Sequence, residues 1–229
     1  MSEGKITLES MSGAVWYNRW TIRQFQPFLK GDILEVGCGI GNFTQILTTY
    51  GNVWAIDIEN NYINSAKKKA KNARVGPGNI ATGKYFFKNH FFDTIVCLNV
   101  LEHIKEDDKA LSNIYKLLKK NGYLVLLVPT HKFLYGKIDQ AINHFRRYDK
   151  QELKEKLSVM GLDIIKSKRL NLLGGLGWWF VGKILKDKEV KGSRIRIFNA
   201  LGPLFLALER LAEPPIGTSV LVIARKNKA

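Results

Sequence analysis

Cysteine is scarce in this chain of 229 residues, which contains only Cys38 and Cys97. The two residues lie in apolar segments, without a Cys-x-x-Cys spacing or a histidine nearby in a metal-ligand pattern. This scarcity excludes a disulfide framework and a thiolate metal centre. We therefore expect both thiols to be free and buried, in a reducing compartment, and we expect no metal site.

Long apolar runs are also absent. The longest run, residues 172–181, is interrupted by Gly174, Gly175 and Gly177, and it falls well short of the roughly 20 residues that span a bilayer. Residues 1–5 are polar and lead into no apolar stretch of the kind that a secretory signal needs. We expect a cytoplasmic protein that contacts a membrane at most peripherally, at its inner face.

Acidic side chains are few relative to basic ones. The chain has 20 Asp and Glu against 36 Lys and Arg, a formal net charge of +16. Such a surface attracts phosphate-bearing or otherwise acidic partners, namely nucleic acid, anionic lipid or acidic glycan. More than half of the excess positive charge lies in residues 150–229. A solvated lysine-rich surface without a partner is the competing interpretation.

What the chain does contain is an alternation of apolar runs with amphipathic segments. Strands are predicted over residues 32–36, 53–58, 94–98 and 123–128, and helices over residues 43–49, 62–72 and 109–119. This alternation predicts a Rossmann-like α/β fold, a mostly parallel seven-stranded sheet with helices on both faces. Gly122 is predicted to end the third of these helices.

The glycine-rich segment Gly37-Cys38-Gly39-Ile40-Gly41 follows a predicted strand and precedes a predicted helix. Glycines in such a turn let the main chain approach a ligand closely. Asn42 stands where a dinucleotide fingerprint would have a glycine, and Glu35 lies inside the strand. A carboxylate there fits a positively charged sulfonium ligand with an amino-acid tail. The alternative is a simple glycine turn beside an exposed glutamate.

Asp57 ends the next predicted strand, 20 residues after Gly37. A carboxylate at this position accepts hydrogen bonds from ribose hydroxyls in nucleoside-binding sheets. Taken alone, Asp57 has the alternative role of capping the helix that follows. Beside the glycine turn, ribose binding is the favoured interpretation.

Together these segments resemble the class I S-adenosylmethionine-dependent methyltransferases. The resemblance rests on residues 35–41, Asp57 and residues 92–104, and it extends to residues 117–129 and 144–148. The chain is similar to the branch that contains the ubiquinone and menaquinone biosynthesis methyltransferases, the type 11 methyltransferases. The resemblance covers nearly the whole chain, and it implies S-adenosylmethionine as cofactor and S-adenosylhomocysteine as product.

The predicted cofactor-binding residues combine the glycine turn with the ends of the neighbouring strands. They are Tyr17, Arg19, Glu35, Gly37, Cys38, Gly39, Gly41, Asn42, Phe43, Asp57, Ile58, Asn79, Ile80, Asn99 and Val100. By the resemblance, the glycines lie against the methionine part and Ile58 flanks the adenine. Asn79 would accept a hydrogen bond from the adenine amino group, although the family more often has aspartate there. Tyr17 and Arg19 would cover the methionine carboxylate as a lid, unless their helix only packs on the sheet.

Methyl transfer from a sulfonium is an in-line displacement, so the protein mainly has to align the two reactants. A hydroxyl acceptor also needs a base for its proton. His131 and His144 are the predicted catalytic residues, because residues 129–148 form a loop at the carboxyl edge of the sheet. A purely structural His144, packed beside two arginines, is the alternative.

The chain is expected to be one domain. Its parts are an N-terminal helical cover (1–30), a cofactor-binding core (31–170), a helical insertion (171–211) and a final strand (212–229). In the simplest class I methyltransferase fold the last two strands form a tight hairpin, so the insertion needs a role of its own. Its aromatic and basic residues over 171–196 predict contact with a membrane or a lipid-linked acceptor. Alternatively, Trp178 and Phe180 cap the sheet or contact a second copy in a homodimer.

The predicted function is S-adenosylmethionine-dependent methylation of an oxygen on a small, glycan or lipid-linked acceptor. Charge alone favours an RNA-modifying methyltransferase. The Asx-Pro-Pro-aromatic signature of amino-directed nucleic-acid methyltransferases is absent, because Asn99 is followed by Val100 and Leu101. A non-catalytic cofactor-binding subunit is the third alternative, disfavoured by the intact glycine turn and its two acids.

Overall fold

A computed structural model of the chain describes residues 15–179, 202–203, 206–207, 209 and 213–227. The strands are β1 Asp32–Val36, β2 Asn52–Asp57, β3 Arg74–Asn79, β4 Lys84–Tyr85, β5 Phe92–Leu98, β6 Leu118–Pro129, β7 Leu162–Leu170 and β8 Ser219–Lys226. The α-helices are α1 Val15–Arg23, α2 Thr44–Leu47, α3 Asn60–Lys69, α4 Asp107–Leu117, α5 Lys137–Ala141, α6 Lys150–Val159 and α7 Leu172–Trp179. Short 3₁₀ helices cover Gln26–Phe28, Leu101–His103 and Lys132–Leu134.

The strands form one sheet in the order β4-β3-β2-β1-β5-β6-β8-β7. Strands β3, β2, β1, β5 and β6 are parallel, whereas β8 runs antiparallel between β6 and β7. The predicted mostly parallel Rossmann-like sheet is therefore confirmed, with the two-residue β4 as an eighth strand. The strand order reverses between β1 and β5, and ligands of such sheets bind beside the carboxyl ends of the strands at that point.

The hydrophobic core lies in two layers, one on each face of the sheet. Leu111 and Ile114 of α4 pack in one layer together with Leu153 of α6. Trp20 of α1 and Ile63 of α3 pack in the other layer. The two cysteines are free and buried, as predicted, one in each layer.

The prediction that Gly122 ends a helix is wrong. Helix α4 already ends at Leu117, and Gly122 lies inside β6. The pairing of β5 with β6 passes from Phe92–Leu118 to Thr94–Tyr123, so β6 bulges between these two pairs. A Cβ at Gly122 would lie 2.8 Å from the carbonyl oxygen of Lys119. Glycine is required there because the bulge brings the two backbone segments together.

Strands β7 and β8 pair antiparallel, with Leu170 opposite Ser219 and residues 171–218 between them, in place of the tight hairpin of the simplest class I fold. The intervening segment begins with α7, but most of the predicted helical insertion lies outside the described residues. Within the described ranges, no helix is long and apolar enough to cross a membrane.

Candidate active site

The glycine turn connects β1 to α2 and has a conformation that requires glycine. Gly37 and Gly41 have φ angles of +72° and +83°, in a region that residues with a Cβ rarely adopt. A Cβ at Gly37 would lie 2.3 Å from Cγ2 of Val100, and one at Gly41 would lie 2.9 Å from Cα of Ala66. The turn is thus packed against the segment after β5 on one side and against α3 on the other.

Asp57 is buried at the end of β2 and anchors this turn. Its Oδ2 accepts a hydrogen bond from the main-chain N–H of Gly39 at 2.8 Å, and its Oδ1 accepts one from Glu59 at 3.0 Å. An ionised carboxylate offers about four acceptor positions, so Asp57 still has acceptor positions available for ribose hydroxyls. The next residue, Ile58, is 67% exposed. This large apolar side chain is therefore available to a planar ligand beside Asp57.

Glu35 is buried inside β1, and its Oε2 accepts a hydrogen bond of 2.5 Å from the hydroxyl of Thr44. Burial raises the pKa of Glu35 to about 8. The hydrogen bond from Thr44 opposes this shift, and the nearby charge of Asp57 adds to it. A cation beside Glu35 would favour the ionised form. The position is thus suited to a positively charged ligand.

The remaining predicted cofactor residues lie around the turn in varied environments. Asn42 contacts Lys69 through its side-chain oxygen, and Cys38 is buried. The side-chain oxygen of Asn79 accepts from the main-chain N–H groups of Ala81 and Thr82. Phe43 and Val100 are half-buried, Ile80 is buried, and Asn99 is exposed with a left-handed φ of +54°. The structure therefore brings these residues to the same edge of the sheet, and Asn79 also closes a turn there.

Helix α1 places the two predicted lid residues differently. The Tyr17 hydroxyl accepts a hydrogen bond of 3.3 Å from the Asn171 side chain, and its ring stacks on Trp20. Arg19 is exposed and lines a cavity of about 420 Å³ together with Asn42. Arg19 is thus beside the glycine turn, whereas Tyr17 contacts Asn171, the residue before α7.

His144 is held by a buried carboxylate. Its Nδ1 lies 3.0 Å from Oδ1 of Asp139, which also accepts a hydrogen bond of 2.8 Å from Nε of Arg147. Burial alone would raise the pKa of Asp139, but its hydrogen bonds with His144, Arg147 and Gly136 keep it below the usual value. Asp139 is therefore an anion that fixes the orientation of the His144 ring.

The other predicted catalytic residue, His131, has a different contact. Its Nε2 accepts a hydrogen bond of 3.4 Å from the main-chain N–H of Gly217. Partial burial lowers the pKa of His131, and Arg169 and Arg147 act in the same direction. His131 thus connects the loop after β6 to the segment that precedes β8.

Sequence reasoning missed two acids at this edge, Asp139 and Glu102. Glu102 is fully buried in the 3₁₀ helix after β5, and neither of its carboxylate oxygens has a hydrogen-bond partner among the described residues. Burial raises its pKa to about 8, although the charge of Arg147 acts in the opposite direction. In the sequence, the adjacent His103 is the one indication that Glu102 has a functional role. His144 and Asp139 come close to Glu102 only in the folded protein.

Comparison with known proteins identifies the class. Residues 34–126 match the family model of a methyltransferase domain. The fold is similar to that of the N-methyltransferase NodS from Bradyrhizobium japonicum in complex with S-adenosyl-L-homocysteine, with a TM-score of 0.59, 14% identity, and coverage of 93% of this chain and 86% of NodS. The matched segment is thus a methyltransferase domain, and the fold is that of the class I S-adenosylmethionine-dependent methyltransferases, as the motifs predicted; S-adenosylmethionine is the cofactor of that class.

Two relatives are similar in sequence over much of the chain. An uncharacterized protein of Methanocaldococcus jannaschii is 27% identical over 141 residues, which are 62% of this chain and 59% of that protein. The ubiquinone biosynthesis O-methyltransferase of Rickettsia canadensis is 26% identical over 161 residues, which are 64% of this chain and 68% of that enzyme. The predicted resemblance to the ubiquinone branch is therefore present as sequence similarity to this enzyme.

Proposed function

We propose that the chain transfers the methyl group of S-adenosylmethionine to a hydroxyl oxygen of a small, glycan or lipid-linked acceptor. The observation that supports this is the position of the His144–Asp139 pair. The main-chain oxygen of Glu102 accepts a hydrogen bond of 2.8 Å from Phe145, next to His144. Glu102 in turn follows Val100, which packs on Gly37 of the glycine turn. An oriented imidazole is thus tied to the segment that contacts the expected cofactor site.

The pair is suited to the proton transfer that a hydroxyl acceptor requires. When the Nδ1–H of His144 donates a hydrogen bond to Asp139, the lone pair of Nε2 is available to accept the hydroxyl proton. The oxygen–carbon bond then forms while the carbon–sulfur bond of the sulfonium breaks, and the electron pair of that bond stays on sulfur as a neutral thioether. The similarity to an enzyme named for O-methylation agrees with an oxygen acceptor.

The charge of the chain supports an acidic acceptor or surface. A net charge of +16 favours acceptors that carry phosphate or carboxylate groups, including lipid-linked ones. The basic aromatic segment 171–196 is proposed as the contact to a membrane or to a second copy of the chain, although its greater part lies outside the described residues.

The test is an acceptor screen with methyl-labelled S-adenosylmethionine, in which lipid extract, glycans and RNA are offered separately. We expect label in the lipid or glycan fraction, as a methyl ether that resists mild alkali. His144→Gln should slow transfer by about 100-fold or more, because it removes the base. His90→Gln is the matched control, since His90 pairs with Asp32 at the start of β1, at the opposite edge of the sheet.

Three results would contradict parts of the proposal. Label that enters only RNA would contradict the acceptor class. Tight binding of S-adenosylhomocysteine without transfer to any acceptor would indicate a non-catalytic binding subunit. Transfer by His144→Gln at the wild-type rate would exclude His144 as the base.

A further inference from the structure

Three side chains at the carboxyl edge of the sheet converge on one point. Glu102, His103 and His144 each present one potential ligand atom, and these atoms all lie within 4.8 Å of one another. Nε2 of His144 lies 3.8 Å from Oε1 of Glu102, and the centroids of the two histidine rings are 4.6 Å apart. A carboxylate and two imidazoles form a set that binds divalent metal ions.

The environment of Glu102 is the second observation that indicates a bound cation. Its side chain is completely buried, and the described residues supply neither of its oxygens with a hydrogen-bond donor. A buried carboxylate without a hydrogen-bond donor is unfavourable in a folded protein. The charge of Arg147 acts on Glu102, but the Arg147 guanidinium is engaged with Asp139 and the Thr130 carbonyl. A bound cation would give the Glu102 oxygens the direct partner that they lack.

The surroundings of His144 are those of a metal ligand. Histidine ligands usually donate their second ring N–H to a carboxylate, which fixes the tautomer that leaves the other nitrogen free for the metal. Asp139 lies 3.0 Å from Nδ1 of His144 and is itself fixed by Arg147 and by the Gly136 N–H at 3.0 Å. Nε2, the atom nearest Glu102, is therefore the one with the available lone pair.

We propose that Glu102, His103 and His144 bind a divalent first-row transition-metal ion, with Asp139 as the positioning residue for His144. Histidine nitrogens favour such ions over Mg²⁺ or Ca²⁺. Metal–nitrogen bonds of about 2.1 Å require ligand atoms roughly 3 to 3.5 Å apart. The distances between the three ligand atoms must therefore shorten by about 1 Å on binding. His103 is the most exposed of the three, so we expect most of this movement in its side chain. The proposal departs from the expectation, based on the scarcity of cysteine, that the chain has no metal site.

The role of the ion rests on the proposed function. Three protein ligands leave coordination positions open for the acceptor hydroxyl, and coordination lowers the pKa of that hydroxyl. The hydroxyl proton is then lost to water, the oxygen attacks the methyl carbon, and the carbon–sulfur bond breaks to leave the neutral thioether. In this form of the reaction His144 acts through the ion instead of accepting the proton itself.

The test is metal binding by the full chain, purified without a polyhistidine tag and stripped with a chelator. Mn²⁺ is titrated while electron paramagnetic resonance measures the free ion, and electron spin-echo spectra report imidazole nitrogens coupled to the bound ion. We expect one ion per chain and two coupled imidazoles. Glu102→Gln and His103→Ala should each weaken binding by about tenfold or more, and Asp139→Asn by about 10- to 100-fold. His90→Ala should bind as the wild type does.

The possible results test the metal site and the proposed function independently of each other. Absence of stoichiometric Mn²⁺ binding, or equal binding by Glu102→Gln and His103→Ala, overturns the metal site. His103→Ala keeps the test decisive if Glu102→Gln does not fold, because His103 is exposed. Mn²⁺ binding without methyl transfer to any acceptor supports the site and contradicts the proposed function. Methyl transfer that is unaffected by chelation supports the function and contradicts the role of the ion.

Discussion

At the scale of single residues, the two acids beside the glycine turn differ in how the protein accommodates them. Asp57 accepts hydrogen bonds from two main-chain N–H groups, which stabilise its charge in a buried position. Glu35 has one donor, the Thr44 hydroxyl, and its pKa is raised to about 8. Glu35 is therefore largely protonated at neutral pH without ligand, and a bound cation would release this proton.

A first prediction concerns the pH dependence of stability. The pKa of Glu35 rises on folding from 4.5 to about 8, so the folded state binds more protons than the unfolded state between these values. The resulting stabilisation is present at low pH and is lost as the pH rises to about 8, by at most about 1.4 kcal/mol per pH unit. Glu35→Gln removes this dependence, so its stability relative to wild type should increase from about pH 5 to about pH 8 and then level off.

Urea denaturation of both proteins without ligand, over this pH range, measures the effect. Subtracting the two curves cancels the contributions of other buried groups, including Glu102, whose pKa is also raised. Parallel stability curves for the two proteins would show that Glu35 has an ordinary pKa. They would also remove the argument that its position is suited to a cation.

At the scale of structural elements, the glycine turn depends on its contact with the segment after β5. Gly37 combines a left-handed φ with a Cβ position that Val100 already occupies. Gly161, at the end of α6, has a similar φ of +84° but meets only the hydroxyl end of Tyr115, at 3.2 Å. A comparison of substitutions at Gly37 and Gly161 therefore separates the free-energy cost of the backbone conformation from that of the steric contact.

We predict that Gly37→Ala destabilises the protein and also weakens binding of S-adenosylhomocysteine by at least about tenfold, because the turn must shift to admit the methyl group. Gly161→Ala should cost about 1 to 2 kcal/mol of stability, the usual penalty for a left-handed alanine, with unchanged affinity. Calorimetric titration and thermal unfolding measure the two quantities. Unchanged affinity in Gly37→Ala would show that the ligand does not depend on this turn.

The elements that sequence predicts well are those with strong local patterns. The apolar runs of β1, β2, β5 and β6 and the glycine turn between β1 and α2 were all recognisable from sequence alone. Gly122 was misinterpreted because its reason, a bulge against the backbone of β5, depends on a neighbouring strand. Glu102 and Asp139 were missed for the same reason. Their proximity to His144 follows from how the loop after β6 folds back onto the 3₁₀ helix after β5.

At the scale of the whole molecule, the dominant feature is the net charge of +16. It predicts attraction to anionic surfaces that weakens with salt, since the Debye length falls to about 10 Å at 0.1 M ionic strength. The basic segment 171–196 also contains Trp178 and Trp179, and indole rings favour the membrane interface. Charge and aromatic residues thus favour the same contact.

We predict that the protein sediments with anionic lipid vesicles at low salt and not with neutral vesicles. Replacing Trp178 and Trp179 with alanine should reduce this binding, and added salt should abolish most of it, since each cation near the surface contributes only on the order of 1 kcal/mol. Vesicle co-sedimentation measures both effects. Equal binding by the double variant, or none at low salt, would exclude a membrane role for this segment.

The position of β8 has a consequence for how the protein is made. This strand lies between β6 and β7 and pairs with both, yet it follows them in sequence and is separated from β7 by residues 171–218. During synthesis on the ribosome, β6 and β7 are therefore complete while the place between them is still vacant. Until β8 emerges, one edge of β6 and both edges of β7 are unpaired, which is a state prone to intermolecular pairing.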